Sequence, residues 1–546
     1  MKKTINVLSL AVLMLIMASC GNVKNMINYA DNVKISSNPA VLEVVAGEID
    51  ADVSVTFPED YFLPKAILEV TPVIVYDGGE VAGKPFVYQG EKIADNFKTV
   101  SKAGATIAEK IHFDYVPGME KSTLVARAKV TYKKKQYDYP SDIKIADGAN
   151  TTYMLVCKEG SYEPMADNYM EIIPETAEAQ ILYLINNATV RNSELRSADV
   201  KEYQAALKDL ANDERRTIVG TEIVAYASPD GPVDKNDQLS SNREKSANKA
   251  FSQVTKKLET GDVSSRSIGE DWEGFKELIQ NSNVEDKDLI LRVLSMYSDP
   301  NVREREIKNM SAVYTSLAKE VLPQLRRARF ITNVEYKNYT NEELTALVET
   351  NMDVLDEPAL LRAANVVEGK GAKLAILDNA IKRFNSDAAA YNAAVVCLDN
   401  GENDQADKYL NKMAVKGDEY NNAKGVIALR KGDNDEAAKW FAKANTADAK
   451  VNLATIDILN GKYQDAVKKL AGTGADNESL AYLLVGENDK AAAAINCDCP
   501  KSSYKRAIIA ARKGDVATYK AEIEKASKME GLAKRAANDI EFAKVR

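Results

Sequence analysis

Opposite charges flank one sharp turn near the middle of the chain. Asp230 belongs to the turn at residues 228–231, Ser-Pro-Asp-Gly, and Arg243 follows it in a polar, helix-like stretch. An arginine can hold a carboxylate through two parallel hydrogen bonds, and an aspartate can hold an ammonium group or the arginine itself. The plainest interpretation is structural, with Arg243 paired with Asp230 or Asp237.

Residue types needed for catalysis are scarce elsewhere. The chain has one histidine, His112, within an alternating stretch that predicts an exposed strand position. Histidine-based triads and most catalytic zinc sites would depend on it alone. Asp271 and Glu273 are a carboxylate pair that a hydrolase would need, but neighbouring exposed acids are usually just solvated. We therefore expect no enzymatic activity, no cofactor and no metal.

Two elements must position the charged residues at the turn. The apolar run at residues 223–227 predicts a buried strand, which ends where proline and glycine allow the chain to reverse. A helix is predicted to start near Leu239, with Ser240 offering a polar cap. Its apolar face is predicted from residues at helical spacing, namely Leu239, Ala247, Ala250, Phe251, Val254 and Leu258.

This strand, turn and Leu-Ser-x-x-Arg helix resemble the C-terminal peptidoglycan-binding domain of OmpA-like proteins, in the form found among Bacteroidetes. The resemblance covers residues 171–336, including an opening strand near 181–185, a helix at 199–210 and a closing strand at 325–331 that contains Arg326 and Arg327. It implies an α/β domain with a helical insert at about 262–322. Trp272 within the insert either stacks on a sugar or, as is commoner for tryptophan, pins the insert to the core.

The resemblance also implies a ligand. In that family an arginine and an aspartate clamp the zwitterionic diaminopimelate of the peptidoglycan stem peptide. Arg243 matches the arginine, whereas the aspartate position falls on Ser228. We expect Arg243 to bind the carboxylate, with Asp230 or Ser228 as auxiliary and Arg326 or Arg327 as support. The missing aspartate equally favours a domain that has lost this ligand and makes only protein contacts.

The N-terminus resembles a bacterial lipoprotein signal. A short basic start precedes the apolar residues 5–17, and Ala-Ser-Cys follows, so residues 1–19 are expected to be a signal peptide and Cys20 the acylated residue. Residues 20–39 would be a linker. Surface-exported lipoproteins of Bacteroidetes tend to carry an acidic cluster after the acylated cysteine, and none follows Cys20. The resemblance therefore implies a lipid anchor on the periplasmic face of the outer membrane.

The net charge excludes one class of partner, and the pattern of strands predicts the fold of the rest of the first half. A net charge of −9 argues against a nucleic-acid partner, which would require clustered Lys and Arg. Residues 40–160 contain short extended runs separated by Pro- and Gly-containing turns. This pattern is typical of a β-sandwich, immunoglobulin-like but without the disulfide.

Residues 340–546 contain a helical repeat. Five glycines, each followed by a small residue, recur at spacings of 31, 29, 25 and 28: Gly401, Gly432, Gly461, Gly486 and Gly514, followed by Ala406, Ala437, Ala466, Ala491 and Ala517. The segments resemble tetratricopeptide repeats, which implies a solenoid whose concave face holds a protein partner.

Four cysteines lie beyond the N-terminal region. Cys397 falls on an apolar helical face and is expected in the core. Cys497 and Cys499 are too close together for the usual zinc pairs. The redox state of these residues and of Cys157 is left open.

These observations predict a multidomain chain, with an all-β sandwich, a central α/β OmpA-like domain and an all-α tetratricopeptide-like solenoid. The expected function is a non-enzymatic envelope lipoprotein that tethers to or senses peptidoglycan and scaffolds a protein partner. The alternative is an assembly scaffold that no longer binds peptidoglycan.

Overall fold

A computed structural model describes residues 23–282 and 286–546, without the side chains of residues 311–314 and 316. The chain divides into two compact units, one formed by the residues up to Met165 together with Ala390–Arg546 and the other by Ala166–Ala389. The predicted signal peptide and Cys20 lie outside the described residues. Within the described part, no helix has both the length and the apolarity required to cross a membrane.

The described part of the first unit starts with a short helix, α1 (Val23–Asn28), followed by two β-sheets. Strands start at Lys34, six residues before the boundary that the sequence predicted. The strands are β1 (Lys34–Asn38), β2 (Val41–Glu43), β3 (Glu48–Phe57), β4 (Ala66–Tyr76), β5 (Gly79–Ala82), β6 (Phe86–Gly90), β7 (Lys98–Val100), β8 (Ala105–Asp114), β9 (Ser122–Tyr132), β10 (Lys135–Asp138) and β11 (Ile143–Asn150).

One sheet has the order β1-β3-β8, and the larger one has the central path β2-β11-β9-β4-β6-β7. Burial alternates along β3, as expected for a strand with one face toward a core. The apolar faces meet where the Phe57 ring of β3 contacts the Tyr88 ring of β6, with centroids 5.2 Å apart. Two layers joined by such contacts match the sandwich that the alternating sequence predicted.

Consecutive helices complete the first unit, and the unit boundary falls within the first of them. Helices are numbered by their order in the whole chain, so these are α12 (Asp387–Asp399), α13 (Asn403–Leu410), α14 (Asp418–Arg430), α15 (Asn434–Phe441), α16 (Ala447–Leu459), α17 (Tyr463–Leu470), α18 (Asp476–Leu484), α19 (Asn488–Ala493), α20 (Pro500–Lys513), α21 (Val516–Ala526) and α22 (Glu530–Asn538). The predicted helical repeat is confirmed in this region.

The five predicted glycines all have positive φ, between 72° and 84°. A residue with a Cβ would be strained in that conformation, so glycine is the natural residue to end each first helix. The alanines five positions after the first four glycines are fully buried. The prediction for Ala517 is wrong because this residue is exposed, and Tyr519, five positions after Gly514, is buried in its place.

The second unit contains a four-stranded sheet of order β12-β15-β13-β14, formed by β12 (Ile172–Leu182), β13 (Arg216–Ala227), β14 (Asp262–Glu270) and β15 (Arg327–Lys337). Helices α2 (Ala198–Ala211) and α3 (Val233–Val254) cover one face. The rings of Tyr203, Phe251 and Phe330 pack together in the core, with centroids 5.1–6.5 Å apart.

Several element boundaries differ from the sequence prediction. The opening strand, predicted near residues 181–185, is β12 and ends at Leu182. Helix α3 begins at Val233 rather than near Leu239, and Ser240 is a fully buried residue whose hydroxyl accepts from Gly269 N–H instead of capping the helix. Residues 262–270, which the sequence assigned to the helical insert, form β14 and pair in parallel with β13. Pairing with β13, which lies elsewhere in the chain, decides that these residues form a strand.

The remaining helices of this unit form the insert and the segment after β15. The insert comprises α4 (Trp272–Gln280), α5 (Lys287–Met296), α6 (Pro300–Asn309), α7 (Ser311–Glu320) and α8 (Leu322–Leu325). After the sheet come α9 (Asn341–Thr350), α10 (Glu357–Val366) and α11 (Lys370–Phe384), which the sequence grouped with the repeats. They belong to the compact unit that contains the sheet.

Candidate functional site

Arg243, the predicted ligand-binding arginine, is fully buried on α3. Its Nη1, Nε and Nη2 atoms donate to the backbone oxygens of Tyr226, Asn187 and Leu184, at 2.8, 3.1 and 3.3 Å. The guanidinium also lies 5.0 Å from the centroid of the Tyr183 ring. Burial lowers the pKa of Arg243 to about 10. The side chain therefore fastens α3 to the backbone around the ends of β12 and β13.

Three other predicted residues meet just after β13. The Ser228 hydroxyl donates to Asp230 Oδ1 at 2.5 Å, and Arg326 Nη2 lies 3.0 Å from Asp230 Oδ2. Arg326 Nε donates to Ser228 Oγ at 3.3 Å. The side chains of Arg326 and Asp230 are 12% and 17% exposed, so the pair is reachable from solvent at its edge. This serine–aspartate–arginine cluster contains one group of each charge.

Arg327 takes no part in that cluster. Successive strand residues point to opposite faces of a sheet, and Arg327 turns to the other side, where Nε donates to Asp271 Oδ2 at 2.9 Å. Its Nη1 donates to Gln180 at 3.2 Å, and its guanidinium lies over the Tyr226 ring. Of the two arginines predicted as support, Arg326 joins Asp230 and Arg327 joins the insert.

Asp271, one of the two acids weighed for a hydrolase, is committed to structure. Besides its bond with Arg327, Asp271 caps α4 by accepting from Gly274 N–H at 2.9 Å, and its side chain is 3% exposed. Trp272 donates from its indole nitrogen to Glu270 and packs edge-on against Phe275. The tryptophan therefore packs against the apolar cluster that the helices of the insert form.

Asp271 and Trp272 border a cavity of about 400 Å³, which Arg327, Arg329 and Tyr226 also line. Both arginines are paired with carboxylates, Arg327 with Asp271 of the same lining and Arg329 with Glu178 outside it.

A second candidate site, which the sequence did not predict, lies on the helical repeats of the first unit. One asparagine occupies an equivalent position on the first helix of each of four successive repeats: Asn392, Asn422, Asn452 and Asn477. Their spacings are 30, 30 and 25 residues, by subtraction of these numbers. All four are buried, between 1% and 6% exposed, and they face residues 157–165 of the same unit.

Three of these asparagines make the same pair of hydrogen bonds with one residue of that segment. In each pair Oδ1 accepts from the backbone N–H, and Nδ2 donates to the backbone oxygen of the same residue. The pairs are Asn477 with Cys157 (2.8 and 2.9 Å), Asn452 with Ser161 (2.7 and 2.8 Å) and Asn392 with Met165 (2.8 and 3.0 Å). The three bonded residues of the segment are four positions apart. The first interval spans one repeat, from Asn477 to Asn452, and the second spans two repeats, because Asn422 lies between Asn452 and Asn392.

Asn422 lies between Asn392 and Asn452 in the row and shares Ser161, the partner of Asn452. Its Nδ2 donates to Ser161 O at 2.9 Å, and its Oδ1 accepts from Asn452 Nδ2 at 2.9 Å. Both polar ends of the amide are thus satisfied in a buried position, where an unpaired group would cost about 1–3 kcal/mol. We call the four asparagines the asparagine row and residues 157–165 the threaded segment.

Side chains add selectivity at the middle of the threaded segment. Gly160 has φ +80°, and a Cβ there would come within 2.7 Å of Val426 Cγ2. The Ser161 hydroxyl donates to Asp448 Oδ1 at 2.5 Å. The Tyr162 hydroxyl donates to Asp399 at 2.9 Å and accepts from Arg430 at 3.1 Å. The groove therefore fits a Gly-Ser-Tyr sequence as well as the backbone groups of the segment.

A periodic signal for the asparagine row exists in the sequence. Each asparagine precedes the helix-ending glycine of its repeat by nine or ten residues, as subtraction of their numbers shows. An asparagine at the same place in each repeat indicates a polar contact that recurs with the helices. It does not identify what the contact is made with.

Comparisons with known proteins identify no family, and the solved structures described below are only distantly similar to this chain. No family model matches the chain, and no curated protein matches it. A tetratricopeptide repeat protein from Parabacteroides merdae is similar at 16% identity and a TM-score of 0.28, over 37% of this chain and 91% of its own. YrrB, a TPR protein with an unusual peptide-binding site, is similar at 17% identity and a TM-score of 0.21, over 36% of this chain and 99% of its own.

A third solved structure, the APC/C hetero-tetramer Cut9–Hcn1, is similar at 14% identity and a TM-score of 0.32. The match spans 65% of this chain and 79% of the matched chain. All three likenesses are low in both identity and TM-score.

Proposed function

We propose that this chain is a non-enzymatic scaffold whose helical repeats hold extended polypeptide by its backbone. The observation that carries the proposal is the repeated pair of hydrogen bonds between the asparagine row and the threaded segment. Recognition of main-chain N–H and C=O groups gives affinity for an extended strand, and the side-chain contacts around it give selectivity.

The asparagine row also explains why the groove favours an occupant. Emptying it would leave buried amides unpaired, at a cost of about 1–3 kcal/mol for each buried group. In the folded chain the occupant is the threaded segment. A protein partner enters the groove by offering an extended stretch that takes the same hydrogen bonds, with a glycine and a serine where Gly160 and Ser161 lie.

A labelled peptide of residues 154–166 tests this function on the full-length protein. A tethered segment competes at an effective concentration of about 1 mM, so the wild type should bind the free peptide weakly. Replacing Gly160 with valine in the protein weakens the tethered segment through its clash with Val426, and peptide affinity should rise at least about tenfold.

Two controls make the outcome decisive. Adding Asn452→Ala to the Gly160→Val protein should reduce peptide affinity again, because one backbone pair is lost. A peptide that itself carries the valine should bind poorly to every variant. If the Gly160→Val protein binds the peptide no better than wild type, the groove does not exchange its occupant and the scaffold function is located elsewhere.

We further propose that the chain is an outer-membrane lipoprotein, anchored through Cys20 on the periplasmic face, whose α/β module contacts the stem peptide of peptidoglycan. The cluster of Ser228, Asp230 and Arg326 supports this proposal, because it presents a carboxylate and a guanidinium together at a partly exposed edge. The rival, a module that makes only protein contacts, is favoured by the backbone bonds that engage every nitrogen of Arg243.

Co-sedimentation of the full-length protein with purified peptidoglycan sacculi separates these alternatives. The informative variant is Asp230→Asn combined with Arg326→Gln, because Arg243→Ala would remove a buried structural side chain. Lys245→Gln, an exposed substitution on α3, is the matched control. Wild type and control should sediment and the double variant should stay in solution; failure of all three to sediment favours protein contacts only.

A further inference from the structure

The two cysteines of the Cys-Asp-Cys sequence lie side by side between α19 and α20. Both are free and partly exposed, and the Cys497 and Cys499 sulfurs are 2.8 Å apart. The Ser502 hydroxyl lies 3.1 Å from the Cys497 sulfur and 3.5 Å from the Cys499 sulfur. The two sulfurs thus share one hydroxyl as a neighbour.

Cys499 is the better nucleophile of the pair. It directly precedes α20, a helix of 14 residues, so it meets the partial positive charge of the helix N-terminus. Burial alone would raise the pKa of Cys499, but hydrogen bonds from Cys497, from the Ser502 hydroxyl and from backbone N–H groups of the first turn lower it to about 7. A lowered pKa increases the share of thiolate near neutral pH, and the thiolate is the reactive form.

A cavity of about 270 Å³ gives access to Cys499. Cys499, Ser502 and Lys505 line it, together with Cys157 from the threaded segment, whereas Cys497 lies outside this lining. Lys505 Nζ donates to the Asp476 backbone oxygen at 2.9 Å and to Ser479 Oγ at 2.5 Å. A small thiol reagent in the cavity would therefore meet Cys499 first, with Cys497 in contact behind it.

Metal binding fits this pair less well than redox chemistry. Two thiolates on one zinc ion sit about 2.3 Å from the metal in tetrahedral directions, which separates the sulfurs by well over the observed distance. Among the described residues, the group of three side chains suited to a metal is Glu48, Asp50 and His112, all exposed and without a cysteine.

We propose that Cys497 and Cys499 form a redox-active dithiol that is oxidised to a disulfide by exchange with a low-molecular-weight disulfide. The Cys499 thiolate attacks one sulfur of the reagent, forming a mixed disulfide and releasing one small thiolate. The Cys497 thiol then loses its proton and attacks the Cys499 sulfur, which breaks the mixed disulfide and releases the second small thiolate. The protein loses two hydrogen atoms, and the reagent is reduced to two thiols.

Full-length protein equilibrated with graded ratios of reduced and oxidised glutathione tests the proposal. After quenching by alkylation, tryptic peptide 491–501 contains both cysteines, so an internal disulfide appears as that peptide, unalkylated and lighter by two hydrogen atoms. The oxidised fraction should rise with the proportion of oxidised glutathione and return to zero on reduction.

Single variants identify the two roles. C497S should accumulate the glutathione mixed disulfide on Cys499, whereas C499S should leave Cys497 alkylated at every ratio. C397A, which removes a buried cysteine of α12, should not alter the titration. The proposal is overturned if the wild-type peptide is fully alkylated at all ratios, or if Cys499 instead links to Cys157.

Discussion

Asn452 binds both backbone polar groups of Ser161, accepting from its N–H at 2.7 Å and donating to its carbonyl oxygen at 2.8 Å. The two residues are 291 positions apart in the chain. A side-chain amide that satisfies one residue in this way replaces the neighbouring strand of a sheet, and the same arrangement recurs at Asn392 and Asn477. The helical repeats thus bind a segment that is itself neither helix nor strand.

Asn452→Ala should release the middle of the threaded segment. The Ser161 N–H would lose its acceptor and the Asn422 side-chain oxygen would lose its donor, at a cost of about 1–3 kcal/mol for each group that stays buried. Hydrogen exchange followed by mass spectrometry should show faster exchange at Ser161. The control is Asn460→Ala, an exposed asparagine after the same helix, which should leave exchange unchanged. Equal exchange in the two variants would mean that Asn452 does not hold the segment.

Arg243→Met should destabilise the α/β module whether or not any ligand is present. The change leaves three backbone oxygens without their donor in a buried site, so the free energy of unfolding should fall by about 3 kcal/mol or more. Lys245→Met removes an exposed charge from the same helix and serves as the control. Melting curves should separate the two variants by several degrees; similar midpoints would point to a role in ligand binding alone.

Gly425→Ala should destabilise the repeats although alanine favours helices. Gly425 lies within α14, and its Cβ would fall on the ring of Phe441, a fully buried residue. The cost of overpacking, about 1–3 kcal/mol, exceeds the gain of about 1 kcal/mol in helix propensity. Gly531→Ala, in α22 with no atom within 4 Å of the new methyl group, should instead stabilise by about 0.5 kcal/mol. Denaturant unfolding should give opposite signs.

Acid should weaken the first unit through Glu541. Burial raises the pKa of this carboxyl, but the Arg512 guanidinium and hydrogen bonds from Asn150 and Thr152 outweigh burial and hold it below the usual value of 4.5. A lowered folded-state pKa contributes stability that is complete above the unfolded pKa and is lost as pH falls through the folded pKa. Glu541→Gln should therefore flatten the acid limb of the stability–pH curve.

The same variant should cost about 3 kcal/mol at neutral pH, because Arg512 loses a buried charge partner. Glu43 nearby opposes the acid effect, since burial raises its pKa. Chemical denaturation between pH 3 and 7, in steps of about one unit, measures the slope. Glu530→Gln removes an exposed carboxylate and should keep the wild-type slope. An unchanged slope for Glu541→Gln would assign the acid sensitivity to other groups.

Local patterns were sufficient for much of the fold. Alternating residues predicted the strands of the first unit, and glycine followed five residues later by alanine predicted helical hairpins up to Gly486, because a positive φ and a close helix contact are requirements of single positions. Ala517 was chosen by residue type alone. In the structure the buried residue five positions after Gly514 is Tyr519. Packing against the neighbouring helix determines which residue is buried there.

Around the turn, the sequence predicted which residues lie close together but not what each of them contacts. Ser228 and Asp230 are neighbours in the chain, so their contact follows from the turn itself. Arg326 rather than Arg327 reaches them, because the register of β15 sets which of two adjacent arginines faces Asp230. The burial of Arg243 depends on carbonyls from two separate chain segments, and residue type alone cannot distinguish it from a ligand-binding arginine.

By itself, then, the amino-acid sequence determined the helical repeats, the strand-rich first half and the turn that gathers Ser228 and Asp230, since each depends on neighbouring residues. Only the tertiary structure decided that the repeats hold the threaded segment. The paired residues lie 227, 291 and 320 positions apart. An asparagine has the same polar amide whether it caps a turn in water or clamps a buried backbone, and only the completed fold supplies its partner.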